Sequence, residues 1–167
     1  MVTGRESIEW RAAVWAGLIS GAVFLVVEMA MVELVLGMSM WGPPRMIAAI
    51  VMGKGVLPPP ETFNATIVLV AMIVHFALSV VFVIPLALVL HRMASAPALL
   101  VGGVYGLVLY LVNFYLFTVV FPWFAMARNW VSIATHILFG VVAAWTYVKL
   151  RRPAAMVAAP PRGATVG

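Results

Sequence analysis

The chain of 167 residues contains no cysteine. That absence removes a disulfide scaffold, an iron–sulfur cluster, a thiolate zinc site and a cysteine nucleophile, and it leaves the redox compartment open. Charge is the second scarcity. Only 9% of the residues are Asp, Glu, Lys or Arg, while 65% are hydrophobic, too little polar surface for a domain that must face water on all sides. Signature motifs are missing too: no P-loop, dinucleotide fingerprint, nucleophile elbow or Glu-containing zinc helix is present, which argues against hydrolytic and nucleotide-driven chemistry. The formal charge of +5 does not form a nucleic-acid patch, because the basic residues sit at the ends of apolar runs.

What is present is four apolar stretches of about 20 residues or more, each able to cross a hydrocarbon core about 30 Å thick. They predict an all-α integral membrane four-helix bundle with spans at about 12–38, 64–90, 97–121 and 129–150. The first run is too long for a signal-peptide core and lacks a following small-residue cleavage site, so it is expected to stay in the mature protein. Between the first two spans, residues 39–63 hold Trp41, Gly42, Pro43, Pro44 and the run Pro58-Pro59-Pro60. This predicts a short interfacial helix bracketed by turns. Residues 1–152 thus read as one transmembrane domain. The remainder, 153–167, is rich in Ala, Pro and Gly and reads as a disordered cytoplasmic tail.

Sidedness follows from the basic residues. Arg5, Arg11, Arg92, Lys149, Arg151, Arg152 and Arg162 fall on one side, against Arg45, Lys54 and Arg128 on the other, which predicts that both termini are cytoplasmic. Trp10, Trp41, Trp123 and Trp130 fall near the expected interfaces, where amphipathic rings settle. Asn64-Ala-Thr66 matches a glycosylation sequon, a weak signal at a membrane boundary.

Each span carries a polar group well inside its apolar run: Glu28, His75, Asn113 and His136. In lipid such a group needs a partner. Counted from the cytoplasmic flank at 1.5 Å per residue, Glu28, His75 and Asn113 lie roughly 24–26 Å in and His136 roughly 22 Å. All four fall in one layer in the outer half of the bilayer, which implies one site. Glu33 lies about 140° around the helix from Glu28, so it reads as an interfacial carboxylate whose nearest basic candidates are Arg45 and Arg128.

The small residues repeat in step with these groups. Gly17 and Gly21 lead by seven residues to Glu28, as Gly102 and Gly106 lead to Asn113; Ser79 accompanies His75, and Ser132 and Gly140 accompany His136. They mark helix-packing faces. Segment 17–28 aligns with 102–113 and 75–81 with 136–142, so the chain resembles a duplicated two-helix hairpin. Its pseudo-two-fold axis would lie along the membrane normal, pairing Glu28 with Asn113 and His75 with His136.

Several chemistries suit this layer. His75 and His136 are a candidate axial pair for haem b, and Glu28 with both histidines is a candidate set for a divalent metal, although no Glu-x-x-His motif supports it. A carboxyl and imidazoles in apolar surroundings have easily shifted protonation states, which suits proton-coupled transport or quinone chemistry. The structural alternative is that the four groups hydrogen-bond one another and specify helix packing. Six methionines between Met29 and Met52 are soft donors that suit Cu(I), but adaptable packing accounts for them better. The segment from Phe121 to Trp130 is aromatic enough to be a lid over the polar layer, a docking surface or an interfacial anchor.

With its span pattern, His75, His136 and the Phe121-Pro-Trp-Phe124 segment before the last helix, the chain resembles small four-span bacterial inner-membrane proteins of uncharacterised family over about residues 12–150. That resemblance implies a bacterial inner membrane and carries no activity. The expected role is a non-enzymatic accessory or transport-type membrane protein acting in the lipid bilayer, through self-association as a homo-oligomer or within a larger membrane complex, without nucleic acid. A redox subunit holding haem b or handling quinone is the alternative.

Overall fold

The computed structural model describes residues 8–151; the predicted tail, Arg5, Arg152 and Arg162 lie outside the described residues. Five α-helices follow one another: α1 (Trp10–Leu34), α2 (Gly42–Met52), α3 (Ala65–Leu90), α4 (Ser95–Leu111) and α5 (Trp130–Leu150). A π-helical turn, Val112–Leu116, and a 3-10 turn, Phe117–Val119, extend α4, and a further 3-10 segment, Pro122–Ala127, precedes α5. Four of these units, α1, α3, α4 with its extension and α5, are long and apolar enough to cross a membrane. The protein is an all-α, multi-pass membrane protein, and the described residues contain no strand.

The helix ends show why the breaks fall where they do. An apolar medium gives the free N–H groups of a first turn no water, so a side chain must take their place. The side chains of Asn64 and Asn129 accept from the N–H groups of Ile67 and Ser132, each at 3.1 Å, and cap α3 and α5. α1 ends at Leu34, short of the expected residue 38. The chain turns at Gly37, whose φ of +64° suits a residue without Cβ, and Glu33 accepts the Met40 N–H at 2.8 Å. Glu33 therefore caps this turn and does not pair with Arg45 or Arg128, the cations expected nearest to it. Pro43 and Pro44 stand in the first turn of α2, where a missing N–H is tolerated.

The bundle is arranged as α3, α1, α5, α4, with α1 packed on both α3 and α5, and α5 packed on α4; α3 and α4 touch little. Glycines set the close approaches. A Cβ added at Gly17 would lie 2.6 Å from the Val80 Cα on α3, and one at Gly21 would lie 2.6 Å from the Ser79 hydroxyl. On the other hairpin, a Cβ at Gly102 or Gly106 would strike the backbone of Gly140 or His136, and one at Gly140 would strike Gly102. The two hairpins thus share an internal mode of packing. They do not share their contacts across, because α1–α5 is extensive and its counterpart α4–α3 is slight.

Away from α2, the bundle closes on a tight core of small and large residues, among them Ala16, Leu86, Leu90, Ala98, Ala143 and Tyr147. The Arg151 guanidinium finishes that end by donating to the carbonyls of Leu90, at 2.5 Å, and Met93. Pro85 inside α3 withholds an N–H from the Val81 carbonyl. One residue further on, the Tyr105 hydroxyl of α4 donates to the Phe82 carbonyl at 2.5 Å. Toward α2 the helices enclose a space rather than meeting.

Gly106→Ala and Gly103→Ala should separate packing from helix propensity. The first Cβ meets the His136 carbonyl oxygen and lies 2.8 Å from the Ile137 Cα, whereas the second finds Val141 at an ordinary 3.5 Å. Gly106→Ala is expected to cost about 1–3 kcal/mol and Gly103→Ala to be neutral or to gain up to about 1 kcal/mol, as measured by reversible unfolding in mixed detergent micelles. Equal effects at the two positions would contradict the close α4–α5 approach.

Candidate functional site

The space toward α2 is a cavity of about 440 Å³, whose lining includes Glu28, His75, Asn113 and His136. The four spans thus deliver their polar groups to one place. Each reaches it differently. The Glu28 side chain extends from α1 to α5, where the Ser132 hydroxyl donates to Oε1 at 3.2 Å and the Thr135 hydroxyl donates to Oε2 at 2.5 Å. Ser132 and Thr135 are three residues apart on a helix and so share a face. Glu28 is 7% exposed.

His75 lies against α1, where its Nε2–H donates to the Gly21 carbonyl at 2.9 Å. A Cβ at Gly21 would find that nitrogen at an ordinary 3.4 Å but would strike the Ser79 side chain, so it is Ser79 that requires a glycine here. His136 donates from Nδ1–H to the Ser132 carbonyl at 2.7 Å, leaving Nε2 as an acceptor in the neutral ring. The Asn113 amide N–H donates to it at 3.3 Å. This donor assignment turns Asn113 Oδ1 away from His136, and Oδ1 is buried with no hydrogen-bond partner. Phe24 packs against both imidazoles, stacked on His75 at 5.6 Å between centroids and edge-on to His136 at 5.0 Å.

Several expectations need correcting here. Among the four groups, the Asn113–His136 bond is the direct hydrogen bond found; Glu28 is held by Ser132 and Thr135, and His75 by backbone. Hydrogen bonding within the layer, expected among all four, is thus found between Asn113 and His136. Among the described residues no three His, Cys, Asp or Glu side chains gather to hold a metal ion, so Glu28, His75 and His136 do not form one ligand set. An axial haem pair needs a free ring nitrogen of each imidazole turned to a common iron. Here Nε2 of His136 accepts from Asn113, Nε2 of His75 faces the Gly21 carbonyl, and Phe24 packs on both rings.

The roof comes from parts of the chain outside the spans. α2 contributes Gly42, Pro43, Met46, Ile47 and Ile50, and the aromatic segment contributes Phe121, Phe124, Met126 and Ala127. The two are joined by Trp123, whose indole N–H donates to the Met46 carbonyl at 3.0 Å. Trp123 is 9% exposed, while Trp10 and Trp130 are more than half exposed; it is a buried tie in the roof and not an interfacial anchor. Arg45 is buried and clamps the connecting loop, donating to the carbonyls of Val56 and Thr62. Arg128 donates to the Phe114 carbonyl at 2.7 Å and lies 4.4 Å over the Tyr115 ring. It thereby satisfies a backbone oxygen of the π-helical turn that carries Asn113. Of the methionines, Met38 and Met46 line the cavity and Met52 is exposed at the surface.

Thr135, Phe24 and the π-helical turn were not anticipated. Thr135 had a usable signal, since it lies three residues beyond Ser132 on the face already assigned to packing. The turn had none. Compared with known families, curated proteins and solved structures, the chain matches no family model, no curated protein and no solved structure.

Thr135→Val keeps the shape of the side chain but strips a hydroxyl from a buried carboxyl, and is expected to destabilise the protein by about 1–3 kcal/mol. Thr135→Ser should recover most of that loss. In a Glu28→Gln background the valine substitution should cost measurably less, and strict additivity in chemical unfolding would show that the two side chains are not coupled.

Proposed function

We propose that this is a bacterial inner-membrane protein, with both termini cytoplasmic, that binds a small amphipathic, lipid-soluble molecule in the cavity beneath α2. It acts as a non-enzymatic transport-type or accessory component. The observation that carries this reading is the cavity itself: about 440 Å³, within the range of small-molecule sites, with mostly apolar walls and a few convergent polar groups. Its depth supports a ligand that arrives through the bilayer, since the polar floor lies on membrane-spanning helices. The sparse contact between α3 and α4 supports lateral entry, past Leu78 and Phe82 on one helix and Leu109 on the other, all of which line the cavity. A quinone is one molecule of this class, so quinone handling is a choice of ligand within the same reading.

Two experiments test it. The chain has no native cysteine, so Lys54→Cys and Ala94→Cys, both at exposed positions, can be labelled singly in intact cells. A membrane-impermeant maleimide should reach Lys54→Cys directly and Ala94→Cys only after lysis; the opposite pattern would turn the protein over. For the cavity, Leu78→Trp adds bulk to the lining, and Val104→Trp adds slightly more at an exposed position. Native mass spectrometry from nanodiscs should find lipid-soluble material bound to the wild type and Val104→Trp and reduced at least about tenfold in Leu78→Trp, roughly 1.4 kcal/mol. Equal occupancy in all three would sink the reading.

A further inference from the structure

The donors and acceptors on the cavity floor specify what kind of head group the site takes. Nearly every donor is already committed inside the protein. The N–H of His75 goes to Gly21 and that of His136 to Ser132; the hydroxyl of Ser79 goes to the His75 carbonyl, and those of Ser132 and Thr135 reach Glu28. One Asn113 N–H goes to His136. Acceptors remain. Asn113 Oδ1 is buried without a partner, and the Glu28 carboxyl takes two hydroxyls where it has room for about four hydrogen bonds. A floor with acceptors to spare selects a ligand that donates.

Charge narrows the class further. The charged residues on the lining are Glu28 and, on the roof side, the exposed Glu61; among the described residues no Lys or Arg lines the cavity. The two nearest guanidiniums are engaged elsewhere, Arg45 with Val56 and Thr62, and Arg128 with Phe114 and Thr118. An ionised Glu28, 7% exposed and held only by neutral hydroxyls, would lack a counter-charge. Around it stand phenylalanine rings, Phe24, Phe114 and Phe139, with Phe117, Phe121 and Phe124 toward the roof. Such faces attract a desolvated cation and accept an apolar body equally well. An inorganic cation would instead need several oxygens converging on one point, and among the described residues no cluster of acidic and imidazole groups provides them.

We propose that the cavity takes a lipophilic amine, bound as its ammonium ion with the N–H directed to Glu28 and its apolar body among the phenylalanines. This rests on the cavity being a binding site for a lipid-soluble molecule.

The test uses the full chain in nanodiscs and three probes of matched size: 4-phenylbutylamine, 4-phenylbutan-1-ol and 4-phenylbutyl methyl ether. Binding is measured by equilibrium dialysis against empty nanodiscs. On the wild type the amine should bind at least about tenfold more tightly than the alcohol, and the alcohol more tightly than the ether. In Glu28→Gln the amine should lose at least about tenfold while the alcohol changes less than about threefold. Alcohol or ether binding as tight as the amine overturns the ammonium assignment but leaves the cavity as a ligand site. Failure of all three probes to bind above empty nanodiscs overturns the assignment; bound material still displaced by Leu78→Trp would then leave the wider reading standing. The comparison among probes needs only the wild type, so it holds even if Glu28→Gln does not fold.

Discussion

The bond from Glu28 to Ser132 and Thr135 organises the upper bundle, the half toward α2. It runs between the first helix of one hairpin and the last helix of the other, and it is made where lipid offers no alternative partner. A carboxyl at that depth must find its hydrogen bonds within the protein or be strongly disfavoured. Meeting that requirement sets the rotation of α1 relative to α5, because two hydroxyls on one face of α5 must both face Glu28. Once α1 is so placed, the same stripe of the helix, two and three turns earlier, presents Gly21 and Gly17 to α3. His75 can then reach the Gly21 carbonyl. One polar contact across the hairpins therefore carries its consequences into the packing within them.

Much of this was legible in the sequence, for reasons that can be named. Apolar length alone gives the four spans, and a rise of 1.5 Å per residue places Glu28, His75, Asn113 and His136 at a common depth. All four do line one cavity. What periodicity does not give is which neighbour each group chooses. That choice turned on short side chains, Ser132 and Thr135, and on the carbonyl of Gly21, none of which stands out in an apolar run. A regular α-helix also misplaces Asn113. The π-helical turn at Val112–Leu116 inserts extra backbone per turn and swings the residues after it, and such bulges depend on tertiary partners, here the Arg128 guanidinium on the Phe114 carbonyl. Trp123 was misread because an aromatic residue near a span end is usually an anchor; its burial depends on α2, which is far away in sequence.

The glycine packing common to both hairpins accounts for the tight half of the molecule, and the differences between the hairpins account for the open half. Each hairpin packs first helix on second through a glycine pair, so repetition alone would produce a closed, symmetric bundle with equal contacts for α1–α5 and α4–α3. Two features, one in each half, defeat that closure. The first hairpin carries the insertion that forms α2 and its flanking turns. The second departs from α-helical geometry after Leu111, where the first continues as a regular helix to Leu34. Both departures lie on the same side of the membrane as the polar layer. Their combined effect is to leave α3 and α4 apart where α1 and α5 stay together, and to roof the gap with Trp123 tied to Met46. The cavity thus lies where the two hairpins differ. That places the polar groups of the two halves in unequal roles: Glu28 is bound across the bundle by hydroxyls, while its counterpart Asn113 keeps a buried oxygen unbonded. The two groups stand at corresponding places in the hairpins, yet the neighbours that would satisfy them are supplied on one side alone, by Ser132 and Thr135 of α5.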